Sequence, residues 1–425
     1  MDRSPTVEHF KRVAARVQRH ILPNGLTVLL CPDHSVPVVT SMLWYRVGSR
    51  LEESGGTGVS HFLEHLMFKG SQRYAKGEID YVTTRNGGSN NAFTSGDYTT
   101  YYFSFASDRW WPALEIESDR MQNLLFDSSE IELERQVILE ELRMERDDPW
   151  YEVRQQTEEW VLGDHPYRFP IIGYQRDVEA LSLGSLRAHY RRFYTPANAV
   201  LVAAGDIDTR VTLRRIEELF GPIPSGPAAC QATRPSRPRN KSQRIEVSPR
   251  GRVDRLLMAF PAPSLLQEEH YAFHMLDRIL VEGRLARLYS RLVERTPLAA
   301  FVSGDFADTV DPYLYFLRLE LLPGSRSELV EQILLEELEC LLDEGVAASE
   351  LERAKNQCLF GTVASFETTF DLAAQIGLTE TLGCPDYWKT YLDRIEAVQP
   401  SDVQRIASQY LALDRVTIGV SQRAH

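Results

Sequence analysis

A proline- and glycine-rich segment interrupts this chain of 425 residues near its middle. It spans 221–227 and continues through 234–238, where prolines and glycines break both helix and strand periodicity. A single hydrophobic core rarely extends beyond about 250–300 residues, so a chain of this length with such a break is expected to form two domains. We predict a first domain at 1–222, a linker at 223–244 and a second domain at 245–425.

The two predicted domains end in similar patterns. In the first, a helical run over 185–190 precedes a strand-like apolar run at 199–203. In the second, a helical run over 401–410 precedes a strand-like run at 415–420. A helix followed by a strand at the end of each half suggests a duplicated domain.

Apolar periodicity predicts both helices and strands in each half, which argues for an α+β fold. The predicted strands are 26–30, 38–45, 99–105 and 313–321, and the predicted helices are 57–69, 110–125, 128–146, 329–343 and 349–363.

Charge and composition exclude several classes of protein. The formal net charge of −13 makes nucleic acid an unsuitable partner, because phosphate binding needs clustered Lys and Arg. The five cysteines are scattered without a CxxC pair, so we expect neither a cysteine zinc cage nor a disulfide framework. No stretch reaches the roughly 18–20 apolar residues of a membrane span. We expect a cytoplasmic protein, with a periplasmic one as the alternative if an export signal has been removed.

The segment HFLEH at 61–65 places two histidines four residues apart, and therefore on one face of a helix. Such a face can present two imidazole nitrogens to one metal ion. A catalytic zinc takes three protein ligands and keeps one position for water, and Glu64 is placed to take a proton from that water as general base. The alternative is a solvated polar face on which His61 and His65 bind no metal.

The helix predicted at 128–146 offers a third ligand. Glu134, Glu141 and Glu145 fall within its apolar arc, whereas Glu140 falls outside it. Buried carboxylates are costly unless they are paired or bind a cation. The helical pattern favours Glu141 over Glu140 but does not separate the three carboxylates of the arc, which could also lie at its edge or pair with arginines. The residues that define this arc are Ile131, Leu133, Val137, Ile138, Leu142 and Met144.

The order HxxEH reverses the HExxH of common zinc proteases and marks the inverted zincins. The sequence GGTGVSHFLEHLMFKG at 55–70 resembles the pitrilysin/insulinase family, which includes the β subunit of mitochondrial processing peptidase and catalytic subunits of bacterial zinc peptidases. The resemblance is strong over about 25–225 and thinner afterwards. Further stretches that fit the family are GGSNNAFTS at 87–95, ERQVILEE at 134–141, YTPAN at 194–198 and FGPIP at 220–224.

Carried over position by position, this resemblance implies that His61, His65 and Glu141 bind one zinc ion and that Glu64 is the general base. Glu134 would be a carboxylate that orients the site. The resemblance also implies two similar domains, each a mostly antiparallel sheet packed with helices, that form half of a clam-shell chamber. The metal site would lie in the N-terminal domain, and the C-terminal domain would have none.

The resemblance further implies that Asn91, Ala92 and Phe93 bind an extended peptide by strand addition, in which main-chain hydrogen bonds supply affinity. The alternative is an ordinary edge strand.

One departure from the family concerns an arginine and, seven residues later, a tyrosine that complete the active site of family members. The corresponding positions here hold Val293 and Ala300. Such donors stabilise the oxyanion that forms when water attacks the peptide carbonyl. We therefore expect a heterodimer in which a homologous subunit without zinc supplies both side chains; the alternative is that Tyr289 or Arg291 substitutes for them.

These observations predict a zinc metalloendopeptidase that hydrolyses short or unfolded peptides as the zinc-bearing subunit of a heterodimer. The alternative is a non-catalytic structural or peptide-binding subunit of the same fold. The presence of His61, His65, Glu64 and Glu141 together argues against that alternative.

Overall fold

The computed structural model describes residues 5–227, 239, 241–248 and 253–422. The chain divides into two compact units, which comprise residues 1–142, 169–232 and 362–389 for the first and 143–168, 233–361 and 390–425 for the second. Much of the predicted linker, 228–238 and 240, lies outside the described residues, as does Cys230.

Both halves contain helices and strands. The strands are β1 (Gln18–Ile21), β2 (Thr27–Pro32), β3 (Val38–Tyr45), β4 (Ser89–Thr94), β5 (Thr99–Ala106), β6 (Ala199–Gly205), β7 (Gln243–Val247), β8 (Arg255–Ala262), β9 (Ala299–Phe306), β10 (Tyr313–Leu321) and β11 (Thr417–Ser421). The helices are α1 (Pro5–Ala15), α2 (Val59–Leu66), α3 (Glu78–Arg85), α4 (Trp111–Arg120), α5 (Ser128–Arg146), α6 (Tyr151–Leu162), α7 (Gln175–Ala180), α8 (Leu183–Phe193), α9 (Thr209–Phe220), α10 (Glu269–Val281), α11 (Arg287–Tyr289), α12 (Ser327–Glu344), α13 (Ala348–Ala364), α14 (Thr369–Thr381), α15 (Tyr387–Ala397) and α16 (Pro400–Tyr410).

The first unit contains a six-stranded sheet in the order β1-β2-β6-β3-β5-β4. Only β2 and β6 pair in parallel; the other neighbours are antiparallel. The central strands β3 and β6 are almost completely buried, which requires apolar cover on both faces of the sheet.

The second unit contains a five-stranded sheet in the order β7-β11-β8-β10-β9. Its first pair, β7 and β11, is parallel and the remaining pairs are antiparallel. This order and these directions repeat those of β2-β6-β3-β5-β4 in the first unit, with β8 in the place of β3 and β10 in the place of β5. The prediction of two similar α+β domains is confirmed.

Each unit also contains a helix from the other half of the sequence. Helix α14 packs on β3 and β6, where Leu372 and Ala373 join the same apolar cluster as Trp44. Helix α6 packs on β11, where a Cβ added at Gly419 would lie 2.5 Å from Val153 Cγ2. The compact units therefore differ from the contiguous domains predicted at 1–222 and 245–425, because each sheet needs a helix from outside its own half to cover one face.

Among the described residues, no helix is both long enough and apolar enough to cross a membrane. None of the described cysteines forms a disulfide, and Cys340 is exposed.

Candidate metal centre

Helix α2 carries the HxxEH motif and begins at a conformation that only glycine adopts easily. Gly58, its N-cap, has φ of 85°, and a Cβ added there would lie 2.4 Å from the carbonyl oxygen of Ile172. The buried carboxylate of Glu52 accepts hydrogen bonds from Gly58 N at 2.7 Å and Ser60 N at 2.8 Å. A carboxylate at this position satisfies free N–H groups of the first turn and complements the helix dipole.

The glycine-rich loop before the helix is held by a second carboxylate. Asp177 of α7 accepts hydrogen bonds from Gly55 N, Thr57 N and Thr57 Oγ1, the last at 2.7 Å. The loop that fixes the start of α2 is therefore tied to a distant part of the first unit.

The face of α2 opposite its buried apolar residues presents the two histidines. Glu141 Oε2, on α5, lies 3.4 Å from His65 Nε2 and 3.8 Å from His61 Nε2. Ligand atoms on a tetrahedral zinc ion, with bonds of about 2.0–2.1 Å, are separated by roughly 3.3 Å. Two imidazole nitrogens and one carboxylate oxygen in this arrangement fit a zinc ion, and Glu141, whose side chain is 42% exposed, leaves the site open to solvent.

Glu134 contacts the candidate ligand His65 on the side away from Glu141. Its Oε1 is 2.9 Å from His65 Nδ1, and its Oε2 is 2.6 Å from the ammonium nitrogen of Lys69. An acceptor at Nδ1 places the proton there and leaves Nε2 as the ligand atom, which also fixes the ring orientation.

Glu64 points toward the neighbouring edge strand. Thr94 Oγ1, at the end of β4, donates a hydrogen bond to Glu64 Oε2 at 2.5 Å. Burial raises the pKa of Glu64, whereas this hydrogen bond and the proximity of His65 lower it; the net pKa lies above the ordinary value. A carboxylate with a raised pKa is suited to accept and return a proton near neutral pH.

The two histidines differ in pKa. Burial, followed by repulsion from His65, lowers the pKa of His61 to about 4, so this imidazole is neutral. For His65, burial lowers the pKa, but hydrogen bonds to Glu134 and Glu141 outweigh it and raise the value to about 9. A cation between the two rings and Glu141 would replace the proton on His65 Nε2.

The predicted peptide-binding residues lie on β4, which ends the first sheet and pairs only with β5 among the described strands. The side chain of Asn91 accepts a hydrogen bond from Ala92 N at 2.9 Å. Phe93 packs edge-on against Trp44, with ring centroids 6.0 Å apart, on the face of the sheet that α14 covers. Because Thr94 of this strand contacts Glu64, β4 runs beside the candidate metal centre, whereas the Phe93 ring lies on the face that α14 covers.

Val293 and Ala300 belong to the second unit, where Val293 is half-buried and Ala300, on β9, is exposed. Neither side chain can donate a hydrogen bond. Arg291 Nε lies 3.7 Å from Glu337 Oε1, next to a carboxylate of its own unit.

The residue patterns missed four side chains that shape the site: Glu52, Asp177, Thr94 and Lys69. Lys69 follows His65 by four residues, a spacing that could have indicated its proximity. Glu52 and Asp177 act through backbone N–H groups of an irregular loop, for which helical or strand periodicity gives no signal.

Known proteins match the chain over most of its length. The family model described as Insulinase (Peptidase family M16) matches residues 27–168, and the model described as Peptidase M16 inactive domain matches residues 180–358. An uncharacterised zinc protease of Streptomyces coelicolor is 30% identical over 405 residues, which cover 93% of this chain and 87% of that protein.

Solved structures share the fold. The crystal structure of a protease from Helicobacter pylori has a TM-score of 0.90 and 23% identity, covering 96% of this chain and 99% of that one. The periplasmic protease PqqL from Escherichia coli has a TM-score of 0.82 and 20% identity, covering 96% of this chain but 48% of that one.

The duplicated α+β fold and the similarity to proteins named zinc proteases place this chain in a class of peptidases. Within it, this chain belongs to the insulinase family of peptidases, M16.

Proposed function

We propose that this chain is a zinc-dependent endopeptidase subunit that hydrolyses short or unfolded peptides. The observation that carries the proposal is the convergence of His61, His65 and Glu141, each of which offers a ligand atom within 4.8 Å of the other two, beside the half-buried carboxyl of Glu64.

Three side chains would hold the metal and a fourth would move the proton. A bound zinc ion would supply Lewis acidity, which polarises a peptide carbonyl and makes a water molecule more acidic. Glu64 then takes the proton of the attacking water and returns it to the leaving amine. Thr94 fixes the carboxylate of Glu64 in position for both transfers, through the hydrogen bond to Oε2.

The open edge of β4 would bind the substrate backbone as an added strand. The Ala92 N–H is capped by the Asn91 side chain, and a rotation of that side chain would release the N–H to a substrate carbonyl. Main-chain recognition of this kind favours extended or unfolded peptides and gives little sequence preference. The chamber that the family resemblance implies would also exclude folded proteins, because of their size.

The absence of donors at Val293 and Ala300 supports a heterodimer with a homologous subunit that carries arginine and tyrosine at these positions. The PqqL chain, which this chain matches over only 48% of its length, is a single polypeptide about twice as long. A heterodimer with a second chain of similar length would be about as long as PqqL.

The metal-dependent reaction is tested by comparing Glu141→Gln with Glu140→Gln, a change at the exposed neighbouring carboxylate. Zinc content and cleavage of an unstructured peptide are measured on each full chain, alone and mixed with the homologous subunit. We expect Glu141→Gln to lose zinc and cleavage together and Glu140→Gln to retain both. Equal zinc and equal cleavage in the two variants would contradict the proposal. Full activity of the chain without the second subunit would contradict only the proposed heterodimer.

A second candidate, a non-catalytic peptide-holding subunit, is favoured by the match of 180–358 to a domain described as inactive. Such a subunit would bind peptide on β4 and purify without stoichiometric zinc, so metal analysis separates the two functions.

A further inference from the structure

Helix α10 of the second unit repeats the histidine spacing of α2. Its sequence HYAFH at 270–274 matches HFLEH at 61–65 in both histidines. The two helices also occupy equivalent places in the duplicated fold: α2 follows β3 and precedes β4, and α10 follows β8 and precedes β9. The second unit therefore presents a histidine pair from the counterpart of the helix that carries the metal centre.

The two histidine pairs have nearly the same geometry. The ring centroids of His270 and His274 are 4.5 Å apart with an interplanar angle of 73°, compared with 4.7 Å and 64° for His61 and His65. The Nε2 atoms of His270 and His274 are 3.0 Å apart, so both rings direct the same nitrogen at one point.

A carboxylate completes the group. Asp308 follows β9, and its Oδ1 lies 3.3 Å from His270 Nε2. These spacings of 3.0 and 3.3 Å are close to the roughly 3.3 Å between ligands of a tetrahedral zinc ion. The three ligand atoms lie within 4.8 Å of one another, as they do in the first centre.

The charge of this group also suits a cation. Asp308 Oδ1 is inaccessible to solvent, although 33% of the side chain is exposed, and no lysine or arginine of the described residues lies within 4 Å of it. A hydrogen bond between the two rings would use one proton and leave the carboxylate without a counter-charge.

We propose that His270, His274 and Asp308 form a second binding site for a divalent transition-metal cation such as zinc. This departs from the prediction that the C-terminal domain has no metal site, and it does not depend on the proposed peptidase activity.

The second site is structural rather than hydrolytic. The position that Glu64 holds between the histidines of α2 is held on α10 by Phe273, which is completely buried and cannot accept a proton. The ring of Phe306 also covers the pair, with its centroid 5.1 Å from His270 and 5.2 Å from His274. A cation here would join α10 to the segment after β9 and so stabilise the second unit.

The test counts zinc ions on the full chain, after removal of metal by a chelator and titration with Zn²⁺ alone. We expect two ions per wild-type chain, one in the double variant His61→Asn/His65→Asn, one in His270→Asn/His274→Asn, and none when all four are replaced. The matched control is His165→Asn, which removes a buried histidine paired with Asp311 in the same unit and should leave two ions. In the His61→Asn/His65→Asn variant, Zn²⁺ should still raise the melting temperature.

Asp308→Asn keeps the size of the side chain and therefore provides a second test if the histidine variants misfold. This change should lower the affinity for the second ion by at least about tenfold, since even groups that only orient ligands contribute that much to metal affinity. One ion per wild-type chain that disappears in His61→Asn/His65→Asn would overturn the proposal, as would two ions in folded His270→Asn/His274→Asn. Because the two sites are removed separately, loss of one hypothesis leaves the other intact.

Discussion

At the scale of single residues, the site depends on a hydroxyl group that no motif predicts. Thr94 is the direct partner of Glu64, and the 2.5 Å hydrogen bond both orients the carboxylate and opposes the rise in its pKa that burial causes. A general base is effective only if its geometry and its pKa both suit the proton transfer.

Replacing Thr94 with valine should therefore lower kcat by about 10- to 100-fold, because proton transfer by a positioned base contributes roughly 10²–10⁴ and only part of that is lost. Zinc content should not change, since Thr94 contacts none of the three ligands. Steady-state cleavage of an unstructured peptide measures the effect. Thr94→Ser, which keeps the hydroxyl group, should restore most of kcat; equal rates for valine and threonine would show that the hydrogen bond has no role.

The sequence pointed to the HxxEH residues as a candidate metal site, because their spacing on one helix face is a local property. It could not choose among Glu134, Glu141 and Glu145, since the helical wheel placed its apolar arc too broadly. In the structure Leu133, Val137 and Met144 are exposed, and the buried face of α5 is narrower, formed by Ile131, Glu134, Ile138, Leu139 and Leu142. The choice of Glu141 came from the family resemblance and stays a prediction until a metal is measured.

At the scale of elements, α2 is positioned by its first turn. Gly58 combines a positive φ with a backbone contact that leaves no space for a Cβ. Gly58→Ala should lower the free energy of unfolding by about 1–3 kcal/mol and weaken zinc binding, because α2 must shift to relieve the strain. Gly56→Ala is the control, since a Cβ there would meet Glu53 O at an ordinary 3.7 Å. Denaturant unfolding and zinc titration of both variants measure the difference, and equal stability would contradict this view of the helix start.

A buried histidine joins α8 to α2 and makes stability depend on pH. His189 Nε2 lies 3.1 Å from Ser60 Oγ, and burial, followed by repulsion from Arg192, lowers the pKa of His189 to about 3. The unfolded chain binds a proton at His189 below about pH 6.5 and the folded chain does not, so this residue stabilises the fold above that pH. Its contribution is lost as the pH falls from 6.5 toward 3, by roughly 5 kcal/mol at most.

The urea midpoint should therefore fall less between pH 7 and pH 5 in His189→Gln than in the wild type. His34→Gln, at an exposed position, is the control. A wild-type pH dependence unchanged in His189→Gln would show that His189 is protonated in the folded state as readily as in the unfolded chain.

The elements themselves were largely predictable. Strands at 38–45 and 313–321 and the helix at 128–146 agree with the structure at both ends, because a buried strand is marked by a short apolar run and a helix by its 3.6-residue apolar period. The predicted helix at 57–69 is longer than α2, which ends at Leu66.

At the scale of the whole molecule, the duplicated fold follows from one strand order used twice. The sequence does not reveal that α14 packs in the first unit and α6 in the second, because neither helix differs in pattern from the other helices of the chain. Only the need to bury both faces of β3 and β6, or of β11, explains why these helices pack where they do.

A fragment of residues 1–222 should accordingly fail to fold. Without α14, the sheet exposes Met42, Trp44, Val200 and Val202, which are all buried in the full chain. We expect the fragment to aggregate or to unfold without cooperativity in thermal circular dichroism. A fusion that adds residues 362–389 through a flexible linker should regain cooperative unfolding. A stable fragment without that addition would show that the sheet does not need α14.

In the function proposed above, Glu64 moves a proton at a zinc site formed by His61, His65 and Glu141. The most direct measurement is kcat for peptide cleavage by Glu64→Gln, with the homologous subunit present and zinc content equal to that of the wild type. We expect zinc to be retained while kcat falls by at least about 10²-fold, the contribution of a positioned base. An unchanged kcat at equal zinc occupancy would contradict it.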